Sequence, residues 1–560
     1  MVVCAYQEAG RYDWLPPARA DDVTVALDGI AAGDLAERRP IHFDELESWE
    51  QRSAAERRVE ELLAAVRADP AVAAIELSGH DLIDFAEYRL RMETARLLRG
   101  WTLAGALGGA GELVCDPAAP PATVMGLRAR VGLDAALTPY TAPPQVPGSR
   151  VARAAIRPLM SGLGVVSKPA RVRVAAVAAG KLTLALDAIA RADLRAAGVA
   201  TMPFPGLDHG NSAVLSLRRG LPMLATFGSR GLTPAPAVRL PERLDLGCEP
   251  ALERALTVLT ARLLSDAAPE LAYAVGALAR VERARELRAL LLPTAAVGAS
   301  RLLISWARRR GVRVGAIQHG IYAHREFDGA DRNADVVFAW GEGSAEQARD
   351  WPPPRPALPA VGVPGMAVSP ARPPAVSVRR ALIATSNSVD TPIAPAGFCD
   401  AFLDVLAPGL ARLAAAGVEL RLRPHPAEDI GRYRRLLARH GLDIPVASDG
   451  PFTEEAARAD VLISSTSSVA FEAAALGLPV LMWLGPAPRW VREQHLVEPW
   501  VDCVPGTFEL AEDFGSLVHD LLERPAAALA VAHDLGERLA RYARPFDRES
   551  FLEALHMLAA

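Results

Sequence analysis

Short apolar runs alternate with longer amphipathic stretches through most of the chain. The runs have the length of buried β-strands, and the stretches between them repeat apolar residues at helical spacing. The pattern is clearest in the carboxyl-terminal half, where helical segments separate the runs RRALIAT, GVELRLRP, ADVLISS and LPVLMW. This alternation is typical of parallel α/β units, so the sequence predicts an α/β protein built on parallel sheets.

The pattern divides the chain into four regions. Residues 1–165 are irregular α/β, with strand-like VTVAL and AAIEL and the helix-like stretches EQRSAAERRVEELLAAVRA and DFAEYRLRMETARLLRGWTLA. Residues 166–372 and 373–530 each repeat strand–helix units, and residues 531–560 form a helical tail. Between the two repeating regions lie WPPPRPALPAVGVPG and SPARPPAVS, whose prolines exclude helix and central strand and indicate a connector. We expect two Rossmann-like domains facing a cleft, an N-terminal α/β extension that completes the first of these domains or docks a partner enzyme, and a tail that crosses back.

Composition narrows the class of protein. With 560 residues, 51% apolar and 23% charged, the chain is a multidomain globular protein, and its net charge of −5 gives no reason to expect nucleic acid. Five scattered cysteines fit a reduced cytoplasm and neither zinc nor a disulfide framework. We find no signal-peptide pattern and no stretch of about 20 apolar residues, so we expect a cytoplasmic protein, with peripheral attachment to the inner face of the membrane left open.

Ligands of open parallel sheets bind beyond the carboxyl ends of the strands, so the residues directly after each strand are the first candidates for a site. RRALIAT leads to Thr385 and Ser386, which can cap a helix or offer backbone N–H groups to a phosphate. The next strand ends at Arg423 and is followed by His425, between two prolines that hold its backbone rigidly. A fixed imidazole there suits an anionic oxygen, although a single histidine can also be structural.

A cluster of hydroxyl residues follows the strand ADVLIS. Ser465, Thr466, Ser467 and Ser468 stand where a helix must begin, and one of them suffices as its N-cap. The remaining hydroxyls and the free N–H groups form a site for a phosphate, assisted by the helix dipole. Glu472 lies one turn further along, where its carboxylate can accept both hydroxyls of a ribose or can simply be exposed to solvent.

The strand VRVGAI ends at Gln318, His319 and Gly320. A glycine permits close approach of a ligand to the backbone, and Gln318 and His319 are then expected to point into the cleft. His319 can act as a base or stabilise a departing phosphate near neutral pH, or it can be structural. Asp328 is a further catalytic candidate, and Arg325 can bind an acidic acceptor or the carboxylate of a donor.

A second set of candidates lies in the first repeating region. Lys181 follows a glycine at a strand–helix junction, where it can bind an anion and is expected to serve the acceptor, but the Gly and Ser/Thr pattern of a P-loop is missing. Asp208, His209 and Asn211 fall in an expected loop, where they can bind the acceptor, supply the base if His319 does not, or provide ordinary turn chemistry. No metal is required, because imidazoles, hydroxyls, helix N-termini and arginines can meet the phosphate charge.

Three motifs together resemble a known family. RPHP, followed about forty residues later by SSTSSVAFEAAALGLPV, resembles the His-Pro and Ser-Ser/Thr motifs of bacterial GT-B glycosyltransferases, a group that includes sialyltransferases, Kdo transferases and CDP-glycerol glycerophosphotransferases. AIQHGIY is similar to the Gln-His-Gly segment of surface-polysaccharide proteins of that group. The sialyltransferases also carry an acidic Asp/Glu-Asp/Glu-Gly motif, which this sequence lacks.

The resemblance implies a GT-B fold and roles for individual residues. His425 would contact the phosphate of the donor, the hydroxyls of Ser467 and Ser468 or of Ser465 and Thr466 would bind the same phosphate, and Glu472 would hold the ribose. The implied activity is sugar transfer, without a cofactor, from a nucleotide-sugar donor, with a CMP-linked ulosonic acid such as Kdo favoured, to a surface polysaccharide or glycolipid acceptor. Alternatives are a CDP-polyol phosphotransferase, a nucleotide-sugar epimerase and a non-catalytic nucleotide-binding scaffold.

Overall fold

The structure is a computed structural model, and its described residues are 2–5, 23–26, 41–42, 46–107, 113–115, 120–132, 172–204, 207, 211–224, 236–281, 286–295, 297–322, 328–347, 353, 355–366, 377–386, 398–426, 428–447, 450–495 and 504–560. The amino-terminal part contains a parallel sheet of order β3-β2-β1-β6. Its strands are β1 (Val2–Ala5), β2 (Val23–Ala26), β3 (Ile41–His42) and β6 (Leu113–Cys115). A short antiparallel pair joins β4 (Glu76–Leu77) to β5 (His80–Asp81).

The amino-terminal helices share a core with the next sheet. They are α1 (Trp49–Ala68), α2 (Pro70–Ala73), α3 (Leu82–Ala106) and α4 (Pro121–Arg130). Leu62, Leu90 and Leu97 belong to the same buried cluster as Leu290 and Val314 of the following sheet. Apolar side chains of both regions therefore leave water together, which joins this part of the extension to the second sheet.

The second sheet has five parallel strands in the order β11-β10-β9-β7-β8. These are β7 (Val174–Ala176), β8 (Val199–Thr201), β9 (Ala289–Leu292), β10 (Arg313–Ile317) and β11 (Val336–Phe338). The helices that accompany them are α5 (Gly180–Ala188), α6 (Arg191–Ala196), α7 (Asn211–Arg219), α8 (Pro250–Val281), α9 (Gly298–Arg309) and α10 (Glu342–Gln347).

The third sheet also has five parallel strands, in the order β13-β12-β14-β15-β16. They are β12 (Arg380–Ala384), β13 (Glu419–Arg423), β14 (Val461–Ser464), β15 (Val480–Trp483) and β16 (Thr507–Phe508). Its helices are α11 (Phe398–Ala415), α12 (Ile430–Arg439), α13 (Phe452–Arg458), α14 (Ser468–Ala475), α15 (Arg489–His495), α16 (Ala511–Glu523) and α17 (Pro525–Ala540).

Every residue of β14 and β15 is buried, as expected for parallel strands covered by helices on both faces, which explains their unbroken apolar runs. Two parallel five-stranded sheets with surrounding helices confirm the predicted α/β fold with two Rossmann-like domains.

The chain returns to the second sheet at its carboxyl end. The helix α18 (Arg548–Ala559) packs on β10 and β11, with the rings of Phe338 and Phe551 centred 5.1 Å apart. Before it, the N–H of Arg544 donates to Trp340 O at 3.1 Å, and the N–H of Val363 donates to Arg544 O at 2.8 Å. The tail is thus held on the second sheet by backbone as well as by side chains.

None of the helices within the described ranges combines the length and the apolar character that a bilayer crossing demands.

Candidate active site between the two sheets

The carboxyl ends of the second and third sheets meet at β10 and α14. The turn after β10 brings the main-chain N–H of Ile321 to the hydroxyl of Ser468, the first residue of α14, at 3.0 Å. A Cβ placed on Gly320 would lie 2.9 Å from Ser468 Oγ. A side chain at position 320 would therefore displace the Ser468 hydroxyl from the N–H of Ile321, and the turn after β10 faces the start of α14 across the crevice between the two sheets.

A salt bridge spans the same crevice. Lys181 lies in the first turn of α5, directly after Gly180, whose φ of 50° is in the left-handed region. Its Nζ is 2.9 Å from Glu472 Oε1 on α14, and both side chains are largely buried. The same ammonium lies 5.1 Å from the ring centre of Trp340, a cation–π arrangement. The residue expected at the acceptor and the residue expected at the ribose are thus in contact.

Two imidazoles, those of His319 and His425, interact electrostatically beside this salt bridge. Burial lowers the pKa of His319, and the charges of Lys181 and His425 lower it further. Burial also lowers the pKa of His425, against the opposing influence of Glu428. Both rings are therefore mainly neutral near pH 7, so that His319 can accept a proton and His425 can donate a hydrogen bond.

A carboxylate fixes the turn that carries His425. Glu428 Oε2 accepts the N–H of His425 at 2.9 Å and the hydroxyl of Thr385 at 2.6 Å. The other oxygen accepts the hydroxyl of Tyr433 at 2.7 Å. Thr385, at the end of β12, also accepts the N–H of His425 at 3.2 Å. These contacts hold the ends of β12 and β13 together, and Thr385 orients the histidine turn.

The hydroxyl residues around the start of α14 have different hydrogen-bonding roles. Ser465 is fully buried, and its Oγ accepts the N–H of Ser386 at 3.1 Å, which ties the ends of β12 and β14. Ser467 is the N-cap of α14 and accepts the N–H of Val469. Thr466 and Ser468 are partly exposed. The amino terminus of α14 therefore opens toward the crevice, with its dipole favouring an anion there.

Gln318 does not point into the cleft, contrary to our expectation. Its side chain is fully buried: Oε1 accepts the N–H of Trp340 at 2.7 Å, and Nε2 donates to Gly320 O at 2.8 Å and to Ser344 Oγ at 3.1 Å. Buried backbone groups at the ends of β10 and β11 require these partners. Gln318 therefore holds the turn that presents His319.

Arg423 is engaged by protein groups on the side of α13. Its Nη1 is 2.8 Å from Glu455 Oε2, and its Nη2 donates to Gly450 O at 2.9 Å. The remaining candidates are less defined. Asn211 is exposed at the start of α7, and Asp328 begins a 3-10 helix, Asp328–Asn333, with its side chain outside the described residues. Asp208, His209 and Arg325 also lie outside them.

Two residues of the site were not predicted from the sequence. Glu428 follows His425 by three positions in HPAED, the spacing at which a carboxylate can cap the turn before a helix. Trp340, fully buried beneath Lys181, is the last residue of the apolar run DVVFAW and gives no sequence signal beyond a strand end.

Comparison with known proteins gives structural likenesses only: no family model matches the chain, and no curated protein matches it. The chain is similar to UDP-GlcNAc 2-epimerase from Neisseria meningitidis bound to UDP-GlcNAc, with 10% identity and a TM-score of 0.40 over 69% of this chain and 99% of that one. The Anabaena protein Alr3699/HepE, in complex with UDP and glucose, shares 12% identity with a TM-score of 0.38 over 68% and 97%. The wall teichoic acid polymerase TagF shares 10% identity with a TM-score of 0.37 over 73% and 95%.

Proposed function

We propose that the protein is a glycosyltransferase of the GT-B type that uses a nucleotide-activated sugar. One observation carries the proposal: Lys181 and His319 of the second sheet lie beside Glu472 and His425 of the third, around the amino terminus of α14. Such a crevice at the carboxyl ends of two parallel sheets offers neutral imidazoles, a cation, a helix dipole and a carboxylate to one ligand.

For the donor we favour a CMP-linked ulosonic acid, such as Kdo, because the His-Pro and Ser-Ser/Thr motifs resemble those of transferases with such donors. His425 and the hydroxyls of Thr466 and Ser468 contact the phosphate, assisted by the N–H groups of α14. Glu472 accepts the ribose hydroxyls. Residues 373–530 form the donor domain, with Ser465, Ser467, Thr385, Ser386 and Arg423 supporting its strand ends.

His319 is the proposed base. The acceptor hydroxyl attacks the anomeric carbon, its proton passes to the neutral imidazole, and the bond to the phosphate oxygen breaks with release of the nucleotide. Residues 166–372, together with 1–165, bind the saccharide or glycolipid acceptor through Asn211, Asp208, His209 and Arg325. Asp328 supports the base. The tail 531–560 joins the lobes, and a glycolipid acceptor implies work at the cytoplasmic face of a membrane.

Release of nucleotide from a panel of donors tests this proposal. The protein is incubated with CMP-Kdo, CMP-sialic acid, CDP-glycerol and UDP-sugars, together with glycolipid extracts as acceptors. We expect acceptor-dependent release of CMP from a CMP-sugar and none from CDP-glycerol. Release of CMP from CDP-glycerol would replace the proposal with a polyol phosphotransferase, and interconversion of UDP-sugars without an acceptor would replace it with an epimerase. Nucleotide binding without any turnover would favour the alternative of a non-catalytic nucleotide-binding scaffold.

The variant His319→Ala tests the proposed base. Loss of a general base lowers turnover by about 100-fold or more. The exposed His533, on α17, serves as the control histidine, because its replacement by alanine leaves the crevice intact. Full activity of His319→Ala would remove the imidazole from the mechanism.

A further inference from the structure

The carboxylate proposed for the ribose is already occupied. Glu472 Oε1 is 2.9 Å from Lys181 Nζ, and only 17% of the Glu472 side chain and 22% of the Lys181 side chain are exposed. A ribose hydroxyl that binds Glu472 Oε1 competes with the ammonium for that oxygen, and a hydroxyl on each carboxylate oxygen weakens the salt bridge. The partner that Lys181 takes instead must be an anion, because an ammonium left without one at this depth costs free energy.

The surroundings of Lys181 identify that anion. The ammonium lies over the ring of Trp340, and its charge lowers the pKa of His319. The charge of His425 lowers the same pKa. The ammonium therefore lies close enough to His319 to influence its charge, and Glu472, its partner, is on α14, the helix whose amino terminus is proposed to bind the donor phosphate. A lysine is a flexible point charge on a four-carbon stem, suited to follow a phosphate without fixed geometry.

We propose that Lys181 binds the donor phosphate rather than the acceptor, and that it exchanges Glu472 for this phosphate when the nucleotide enters. This inference rests on the proposed function and adds an order of events to it. The ribose displaces the ammonium from Glu472, and the phosphate on the same ligand receives it. A nucleoside, which has a ribose but no phosphate, breaks the salt bridge and gives Lys181 no new partner. The site therefore favours nucleotides over nucleosides more strongly than the phosphate–Lys181 contact alone would.

The test compares nucleotide with nucleoside in one variant. Affinities of CMP and cytidine, and of UDP and uridine, are measured by calorimetry and ligand-observed NMR for the wild type and for Lys181→Met, which keeps the stem and removes the charge. We expect the preference for nucleotide over nucleoside to fall by about 10-fold or more, the value of one charge-assisted contact. The nucleoside itself should bind the variant no more weakly than the wild type, since Glu472 is then free.

Two further variants keep the result interpretable. Lys181→Arg retains the charge and should keep most of the preference. Arg173→Met removes an exposed cation just before β7, the strand that leads into the helix of Lys181. It should change neither the nucleotide affinity nor the nucleoside affinity. An unchanged preference in Lys181→Met, with the wild type binding nucleotide, would overturn the exchange and leave the proposed function standing. A wild type that binds none of the four ligands would overturn both.

Discussion

The main-chain N–H of Ile321 donates to Ser468 Oγ at 3.0 Å, which joins the end of β10 in one domain to the start of α14 in the other. The contact depends on Gly320, because a Cβ there would lie 2.9 Å from the same oxygen. A serine hydroxyl can rotate away from an added methyl group, but it then loses the N–H of Ile321.

Gly320→Ala and Ser468→Ala should therefore remove the same hydrogen bond. We expect each to lower the free energy of unfolding by about 1 kcal/mol. The double variant should cost about as much as either single one, because the second change finds the bond already lost. Chemical denaturation of the four proteins measures this coupling, and strictly additive losses would show that residues 320 and 468 do not share a contact.

Glu428 should matter to nucleotide binding without touching the nucleotide. Its carboxylate accepts the N–H of His425 and the hydroxyls of Thr385 and Tyr433, so Glu428→Ala frees the histidine turn. We expect the affinity for nucleotide to fall by about 10-fold, in line with the loss of one oriented contact. Glu428→Gln keeps one acceptor oxygen, so its nucleotide affinity should lie between those of the wild type and Glu428→Ala. Calorimetry checks the order, and wild-type affinity in Glu428→Ala would show that the turn holds its shape unaided.

The pH dependence of transfer should report His319. A general base works in its neutral form, and the pKa of His319 lies below its ordinary value of 6.5, first through burial and then through Lys181. The rise of kcat/KM with pH should therefore have its midpoint below 6.5. Lys181→Met removes the nearby positive charge, which raises the pKa of His319 and shifts that midpoint upward. An unchanged midpoint in Lys181→Met would show that the pH dependence of kcat/KM comes from a group other than His319.

A buried histidine outside the site should control acid stability. Burial, and then the charge of Arg309, lower the pKa of His80 to about 4 from 6.5. The folded protein therefore leaves His80 neutral where the unfolded chain protonates it, and stability falls as the pH drops below 6.5. Between pH 7 and pH 5 the expected loss is at most about 2 kcal/mol, and it is smaller to the extent that solvent screens the charge of Arg309.

His80→Gln removes this titration. From pH 7 to pH 5 the wild type should lose up to about 2 kcal/mol more free energy of unfolding than His80→Gln does. The replacement of an exposed histidine, His533→Gln, should leave the wild-type pH dependence unchanged. Parallel pH profiles for wild type and His80→Gln would place the acid sensitivity elsewhere.

The sequence predicted the sheets better than the short local pairings. Fully buried strands such as Val461–Ser464 give unbroken apolar runs, and helices separate them, so parallel α/β units were readable from pattern alone. AAIEL, in contrast, was expected to be a strand, and only Glu76–Leu77 form one, paired with His80–Asp81. Ser78 and Gly79 turn the chain with φ of 54° and 74°, a hairpin turn that the apolar pattern concealed.

The site was predicted by residue type, and its contacts were not. Strand ends directed attention to His319, His425 and Glu472, because ligands of parallel sheets bind there. The pairing of Lys181 with Glu472 joins residues 291 positions apart, and nothing in a single sequence encodes such a distance. Gln318 turned inward because the buried backbone beside it needed hydrogen-bond partners, a requirement visible only once Trp340 is placed.

A crystal structure of the chain with bound CMP tests the central claim most directly. We expect the phosphate at the amino terminus of α14, within hydrogen-bond distance of His425, with the ribose on Glu472 and the ammonium of Lys181 moved from that carboxylate to the phosphate. A nucleotide bound away from this crevice, or one bound in it with Lys181 and Glu472 still paired and His425 out of reach, would contradict the proposed site.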